Sequence, residues 1–381
     1  MKKIFFICGE SSGDMHGATL LNELYKIIPP AHLTVEAIGG DALENSGARI
    51  FFNCKYLGSM GVTEVISKLP MYLNLERELL FRLSVFRPDV LILIDFPGFN
   101  LRIAKKVKNL LPETKIVYYF PPQVWAWDEG RTKTLVQYCD LVLCGLPFEE
   151  EFHKARGVNA FYVGNPLVNE LEKFDKDKIR EEFKIKKDET LIGLFPGSRK
   201  SEIHHMLPVL LKGTGLLRKE FPKCQFLIAQ APAVKIESEV NQLRLLPPGN
   251  NHKLLCASDF VWLTSGTVTL EAALYETPMI LGYKGNWINY YMYLFLRRIN
   301  MIGLPNIIFG EQIVPELLQN DATPENFHKT TKAWLQNPNK LIEIKNNLKK
   351  VREKLSTKNA SHEAALKIRE LMPEYKVVVV K

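Results

Sequence analysis

Thr190-Leu191-Ile192-Gly193-Leu194-Phe195-Pro196-Gly197-Ser198-Arg199-Lys200 is the stretch that decides the fold. An apolar run ends in a Gly-bearing turn and continues as sequence of helical periodicity, a strand-turn-helix unit. The chain opens with the same unit. Residues 3–8 read as a strand, Gly9-Glu10-Ser11-Ser12-Gly13-Asp14 as the turn, and residues 15–28 as an apolar-periodic helix. Between these units the alternation continues, with strands expected at 33–38, 90–94, 115–120, 141–144 and 161–163. Helical stretches fall at 62–86, broken at Pro70, at 101–111 and from Phe148 onward. Beyond residue 190, strands follow at 225–229, 260–263 and 279–281. Such alternation specifies an α/β chain with mostly parallel, doubly wound sheets.

A length of 381 residues exceeds one ordinary core, so two domains and a cleft are expected. Around residues 165–188 the sequence turns Glu/Lys/Asp-rich, and this places the boundary. The expected division is 1–168, 169–345 and a C-terminal helical segment 346–381. The charge-laced stretch 325–372 reads as a solvated helix face. No apolar run reaches the roughly 18–20 residues that cross a bilayer. Glu10 and Asp14 cut the N-terminal apolar run below the length of a signal-peptide core, so a buried first strand and a cytoplasmic protein are expected. Six dispersed cysteines without a Cys-x-x-Cys pair read as reduced structural thiols.

Two turns at strand ends carry the main chemical signal. Gly197-Ser198-Arg199 and Ser265-Gly266-Thr267 each offer backbone N–H groups at a helix start, a natural phosphate cradle. Arg199 adds a planar guanidinium fork. Ser and Thr that merely cap their helices are the plain alternative for either turn alone, but two such turns in one sheet favour a diphosphate. Glu271 follows within the same helix, where its carboxylate can accept from ribose hydroxyls or simply face solvent. Asp95 ends the run Val90-Leu91-Ile92-Leu93-Ile94 at the carboxyl edge of a central strand, a general-base position. Glu10, Ser11 and Asp14 lie at the equivalent edge of the first strand as a candidate substrate loop, where Asp14 also reads as an N-cap and Glu10 as a substrate-facing group or a structural anchor; His16 reads as a packed histidine. No His, Cys or carboxylate spacing fits a metal, and neither a P-loop nor a Gly-x-Gly-x-x-Gly fingerprint is present. The excess of 50 basic over 42 acidic residues, +8, allows an anionic partner; nucleic acid is disfavoured because the basic residues are scattered and no binding motif appears.

These strings, with Met60-Gly61, Asp95-Phe96-Pro97, Pro122-Gln123-Val124-Trp125-Ala126-Trp127, Leu146-Pro147-Phe148-Glu149, Gly164-Asn165-Pro166-Leu167 and Leu304-Pro305-Asn306, make the chain resemble the lipid-A-disaccharide synthase family along nearly its whole length. The resemblance implies GT-B architecture, two Rossmann-like domains facing a cleft, with the acceptor mainly on the first and UDP on the second. It implies transfer of a diacylglucosamine from UDP-2,3-diacylglucosamine to the 6-hydroxyl of 2,3-diacylglucosamine 1-phosphate with inversion, and no metal cofactor. By motif it makes Asp95 the favoured base, sets Arg199 and Asn306 near the nucleotide sugar, and assigns the loop of Gln123 and Trp125 to the acceptor. That loop departs from the family pattern at Pro121, Gln123 and Asp128-Glu129. A UDP-sugar epimerase or another transferase would share the diphosphate turns, and a non-catalytic nucleotide-binding protein at a membrane surface is the alternative from another class.

Acylated substrates require contact with lipid on the cytoplasmic face of the inner membrane. The stretch 62–83, with Val65, Ile66, Leu69, Met71, Tyr72, Leu73, Leu75, Leu79 and Leu80, has more apolar surface than one core-facing stripe needs. Residues 287–298 mix Trp287 and three tyrosines with Arg297-Arg298. With a charge of +8, an anionic membrane surface is the expected partner. Homo-oligomerisation is left open.

Overall fold

A computed structural model of the chain describes residues 1–57, 69–122, 124–127, 130–231, 234–236, 243–285, 301–355 and 358–372. Two compact units divide it: Met1–Pro166 with Thr357–Lys381, and Leu167–Ser356. The expected C-terminal segment 346–381 is therefore not a piece of its own. Helix Pro338–Lys354 belongs to the second unit and helix Ala360–Leu371 to the first.

In the first unit, seven parallel strands are ordered β3-β2-β1-β4-β5-β6-β7: β1 (Lys2–Cys8), β2 (Leu33–Gly39), β3 (Arg49–Asn53), β4 (Val90–Ile94), β5 (Lys115–Tyr119), β6 (Leu141–Cys144) and β7 (Ala160–Tyr162). Side chains alternate across the sheet. Ile4, Phe6 and Cys8 enter one core with Leu20, Leu21 and Leu24 of helix Ser11–Ile27 and with Ala364, Ala365 and Ile368 of the C-terminal helix. Phe5 and Ile7 enter the other with Leu75, Leu79 and Leu83 of helix Leu69–Phe86 and with Ile103, Ala104 and Val107 of helix Pro97–Leu110. Both faces are covered, which is why the strands read as continuous apolar runs.

The second unit has six parallel strands, ordered β10-β9-β8-β11-β12-β13: β8 (Thr190–Phe195), β9 (Cys224–Ala229), β10 (Arg244–Leu246), β11 (Phe260–Thr264), β12 (Met279–Tyr283) and β13 (Glu316–Leu318). Strands β3, β10 and β13 were not expected. They are short edge strands with few buried side chains, so they leave little periodic signal. The charge-laced stretch is also more than a solvated face: Phe327, Thr331 and Trp334 are buried, and the buried Trp262 indole donates to Thr331 Oγ1 at 2.9 Å. Ile344, Leu348 and Val351 are buried one helix later.

The strand orders fix where ligands can bind. In the first sheet the order reverses between β1 and β4, which pair with Cys8 beside Ile94, so Gly9–Ser11 and Asp95 emerge side by side. In the second it reverses between β8 and β11, with Phe195 beside Leu263, so the turns at 196–199 and 265–267 emerge side by side. Crevices at such crossovers are the usual ligand sites of open parallel sheets.

Candidate active site

On the first sheet, Asp95, Phe96 and Phe120 all hold left-handed backbone, with φ of 48°, 50° and 57°. Such angles are costly for residues with side chains, and the surroundings enforce them. The Asp95 carbonyl accepts from the Tyr118 hydroxyl at 2.7 Å and from Nδ2 of the buried Asn100 at 2.8 Å. Gly9 is required beside it, because a Cβ there would lie 2.3 Å from the Phe96 ring. The Asp95 side chain reaches solvent, yet desolvation by its surroundings pushes its carboxyl above the usual value; the Phe96 N–H and His16 oppose that shift. His16, half-buried, meets the Phe120 ring edge-on at 5.3 Å, so it is packed yet also close to the carboxylate.

Three residues expected around a substrate are used by the fold. Asp14 lies inside helix Ser11–Ile27, 5% exposed, and accepts from the N–H groups of Gly40 (2.7 Å), Ala42 (2.9 Å) and Leu43 (3.2 Å). It thus caps helix Asp41–Asn45, which starts after β2, rather than its own helix; Glu10 and Ser11 remain exposed at the sheet edge. Trp125 is buried and donates from Nε1 to Glu149 Oε1 at 2.9 Å, with its ring against Phe148. Asn306 is fully buried: Nδ2 donates to Val314 O and Glu316 Oε1, and Oδ1 accepts from the N–H groups of Ile313 and Val314. It clamps a loop. Gln123 lies outside the described residues.

Glu149 is the titrating group that sequence reasoning missed. It is buried, its Oε2 accepts from the Leu146 N–H at 3.1 Å, and burial pushes its carboxyl up to about 7 against the opposing hydrogen bonds from Trp125, Leu146 and Gly145. The signal was present, since Pro147 at the first helical position and Glu149 two residues later form a helix-start pattern; its burial was not visible.

On the second sheet, a recess of about 270 Å³ brings together Gly197, Ser198, Arg199, Ser265, Gly266, Thr267 and Glu271. The two turns differ from expectation in one respect. At the first, donors expected to be free are engaged by Glu202, whose Oε2 accepts from Ser198 N–H (2.9 Å) and Arg199 N–H (3.2 Å), while Oε1 pairs with the exposed Arg199 guanidinium (3.2 Å). Gly197 holds φ of 124° there. At the second, Ser265 N–H is spent on Gly282 O, but the N–H groups of Gly266 and Thr267 have no acceptor among the described residues. Two polar atoms of the lining, Thr264 Oγ1 and Asn251 Oδ1, are buried without a partner. An unpaired buried polar atom is costly unless a ligand or water completes it. Glu271 stands 3.6 Å from His252 Nε2.

The lipid-facing expectation divides. Val65, Ile66 and residues 287–298 lie outside the described residues, and Leu69 opens helix Leu69–Phe86 with Pro70 in its first turn. Leu75 and Leu79 face the core, whereas Leu73 (46%), Phe81 (72%) and Val85 (57%) are exposed, about two turns and then one turn apart. Among the described residues no helix is long and apolar enough to cross a membrane, and no three His, Cys, Asp or Glu side chains cluster to hold a metal.

Comparison with known proteins gives these edges a family. The family described as Lipid-A-disaccharide synthetase matches residues 4–369. The lipid-A-disaccharide synthase of Myxococcus xanthus is 34% identical over 98% of this chain and 99% of its own length, and that of Nitrosococcus oceani 37% over 84% of each. Among solved structures, UDP-GlcNAc 2-epimerase from Neisseria meningitidis bound to UDP-GlcNAc superposes with a TM-score of 0.65 at 12% identity, covering 97% of this chain and all of that one. The glycotransferase of kitacinnamycin gives 0.64 at 12%, covering 97% and 99%. At such identity the structures speak for the fold alone, two doubly wound domains of the GT-B type. With a match to nearly every residue and relatives above 30% identity along the whole chain, this glycosyltransferase belongs to the lipid-A-disaccharide synthase family.

Proposed function

We propose a division of labour for the family's reaction, in which 2,3-diacylglucosamine passes from UDP to the 6-hydroxyl of 2,3-diacylglucosamine 1-phosphate with inversion to a β-1,6 linkage. Asp95 is the base. Its carboxylate takes the proton of the 6-hydroxyl as that oxygen attacks C1 of the donor sugar, the C1–O bond breaks, and its electron pair leaves on UDP. Desolvation suits Asp95 to this, since a carboxylate pushed upward holds a proton better than one in water. The second sheet holds the nucleotide, Glu271 accepting from the ribose hydroxyls. The N–H groups of Gly266 and Thr267 and the Arg199 guanidinium take up charge on the departing diphosphate without a metal. Arg199 reaches the diphosphate by exchanging its Glu202 partner for it.

The observation that carries this reading is the place of Asp95, at the crossover of the first sheet on a backbone that Tyr118 and Asn100 hold in a strained conformation. Mass spectrometry of products from UDP-2,3-diacylglucosamine, with and without the acceptor, tests it. A disaccharide 1-phosphate formed only with the acceptor is expected; an epimerised or merely hydrolysed donor would overturn it. The enzyme works at the cytoplasmic face of the inner membrane, docked through Leu73, Phe81 and Val85 and drawn by its charge of +8 to anionic lipid.

A further inference from the structure

The recess on the second sheet is short of positive charge. Among the described residues, the carboxylates of Glu202 and Glu271 line it, and the guanidinium of Arg199 is already paired with Glu202. A UDP-sugar brings two more negative charges. A further basic side chain that meets the lining is His252, on helix Asn251–Ala257, with Nε2 3.6 Å from Glu271 Oε2 and its ring 5.8 Å from that of Tyr275. We propose that His252 is a positioning residue for the nucleotide, its protonated imidazole fixing the Glu271 carboxylate and offsetting the negative charge that the donor meets. This rests on the reading that Glu271 accepts from the ribose.

The groups facing His252 agree with a charged ring. From helix Val268–Leu274 comes Glu271, and from the chain after residue 166 come Glu170 and Glu172. Tyr275 donates its hydroxyl proton to the Glu172 carbonyl at 2.8 Å and so brings no charge. Lys253, next on the same helix, is engaged by Glu182 at 2.9 Å. Glu271 foremost, with Glu172 and Glu170, raises the imidazole pKa from its ordinary value against the effect of burial. Raising pH through that titration removes the cation, loosens Glu271 and leaves the recess more negative. Both effects weaken a dianionic ligand, so affinity declines as pH rises.

The test is calorimetric affinity for UDP-GlcNAc between about pH 5.5 and 8.5 on the full chain. Its diphosphate is esterified at both ends and does not titrate in this window, unlike the terminal phosphate of UDP. The wild type should lose about fivefold in affinity across the range, the scale of one partly exposed charge pair. His252→Gln should bind weakly at every pH, and His252→Arg, charged throughout, should bind tightly at every pH. A flat wild-type profile, or a wild-type profile retained by His252→Gln, would overturn the proposal. Glu271→Gln separates it from the reading beneath: weakened binding there with an unchanged His252→Gln profile sinks only the role of His252, whereas unweakened binding in Glu271→Gln sinks the ribose contact and this proposal together.

Discussion

The two crossover edges are built on one topology and equipped in opposite ways. At β1/β4 most polar groups are turned inward and engaged: Asp14 caps a neighbouring helix, Glu149 is locked to Trp125, and the backbone of Asp95 is pinned in a strained conformation, with Asn100 Oδ1 the buried oxygen there that lacks a partner among the described residues. At β8/β11, among the described residues, the N–H groups of Gly266 and Thr267 and oxygens of Thr264 and Asn251 have no partner. The contrast fits the roles proposed for the two edges. A reacting group needs a rigid and partly desolvated setting, whereas a ligand site keeps hydrogen-bonding capacity in reserve.

Asp95→Asn tests the contrast most severely. It should lower kcat by about 10²–10⁴-fold with UDP affinity unchanged, because the base acts in the transition state and the nucleotide is held elsewhere. Normal folding with near-normal turnover would break the division.

Glu149→Gln probes how far the first edge is structural. A carboxyl held near 7 in the folded state and near its usual value when unfolded stays protonated in the fold after the unfolded chain has released its proton. Its stabilising contribution is thus fully present below about pH 4.5 and lost as pH rises toward 7, on the order of 3 kcal/mol in all. The Gln variant should flatten that part of the stability-pH curve while keeping an acceptor for the Trp125 indole. Denaturant melts at about pH 5 and 8 read it directly, and identical slopes in both proteins would contradict the buried-acid reading.

Arg199→Ala should weaken UDP binding and slow turnover together, by about tenfold each, since the guanidinium meets the diphosphate in ground and transition states alike. Unchanged UDP affinity would mean that Glu202 keeps Arg199 and that the second edge works through Gly266 and Thr267 alone. The smallest effect concerns the outer surface of the first unit. Replacing Leu73, Phe81 and Val85 by Ser should reduce binding to anionic vesicles a fewfold and spare activity in detergent micelles, because each exposed side chain contributes only a small apolar area. Equal activity losses on vesicles and in micelles would remove these residues from lipid docking.

Much of this architecture is legible in the residue order. Strands buried on both faces read as unbroken apolar runs, and the Gly-bearing turns after β1 and β8 announce strand-to-helix junctions. Edge strands β3, β10 and β13 escape because a half-buried strand of three to five residues has no period to detect. The functional residues divide along the same line. Gly197 to Arg199 and Ser265 to Thr267 are contiguous strings at strand-to-helix turns, so the sequence alone places both at one sheet edge, although it does not show that Glu202 engages the N–H groups of the first. Asp14 and Asn306 are single polar residues in recognisable motifs, and nothing local tells a substrate contact from a clamp on distant backbone.

Local periodicity and turn chemistry thus specify two parallel, doubly wound sheets, the strand ends at their crossovers and the two Gly-bearing turns that come to line one recess. Tertiary structure alone decided which polar residues remain available. Asp14 meets Gly40, Asn306 meets Val314, Trp125 meets Glu149 and His252 meets Glu271 only after the chain has folded. Hydrogen-bond satisfaction and desolvation are properties of a residue's surroundings, and those surroundings are supplied by residues far away in the chain.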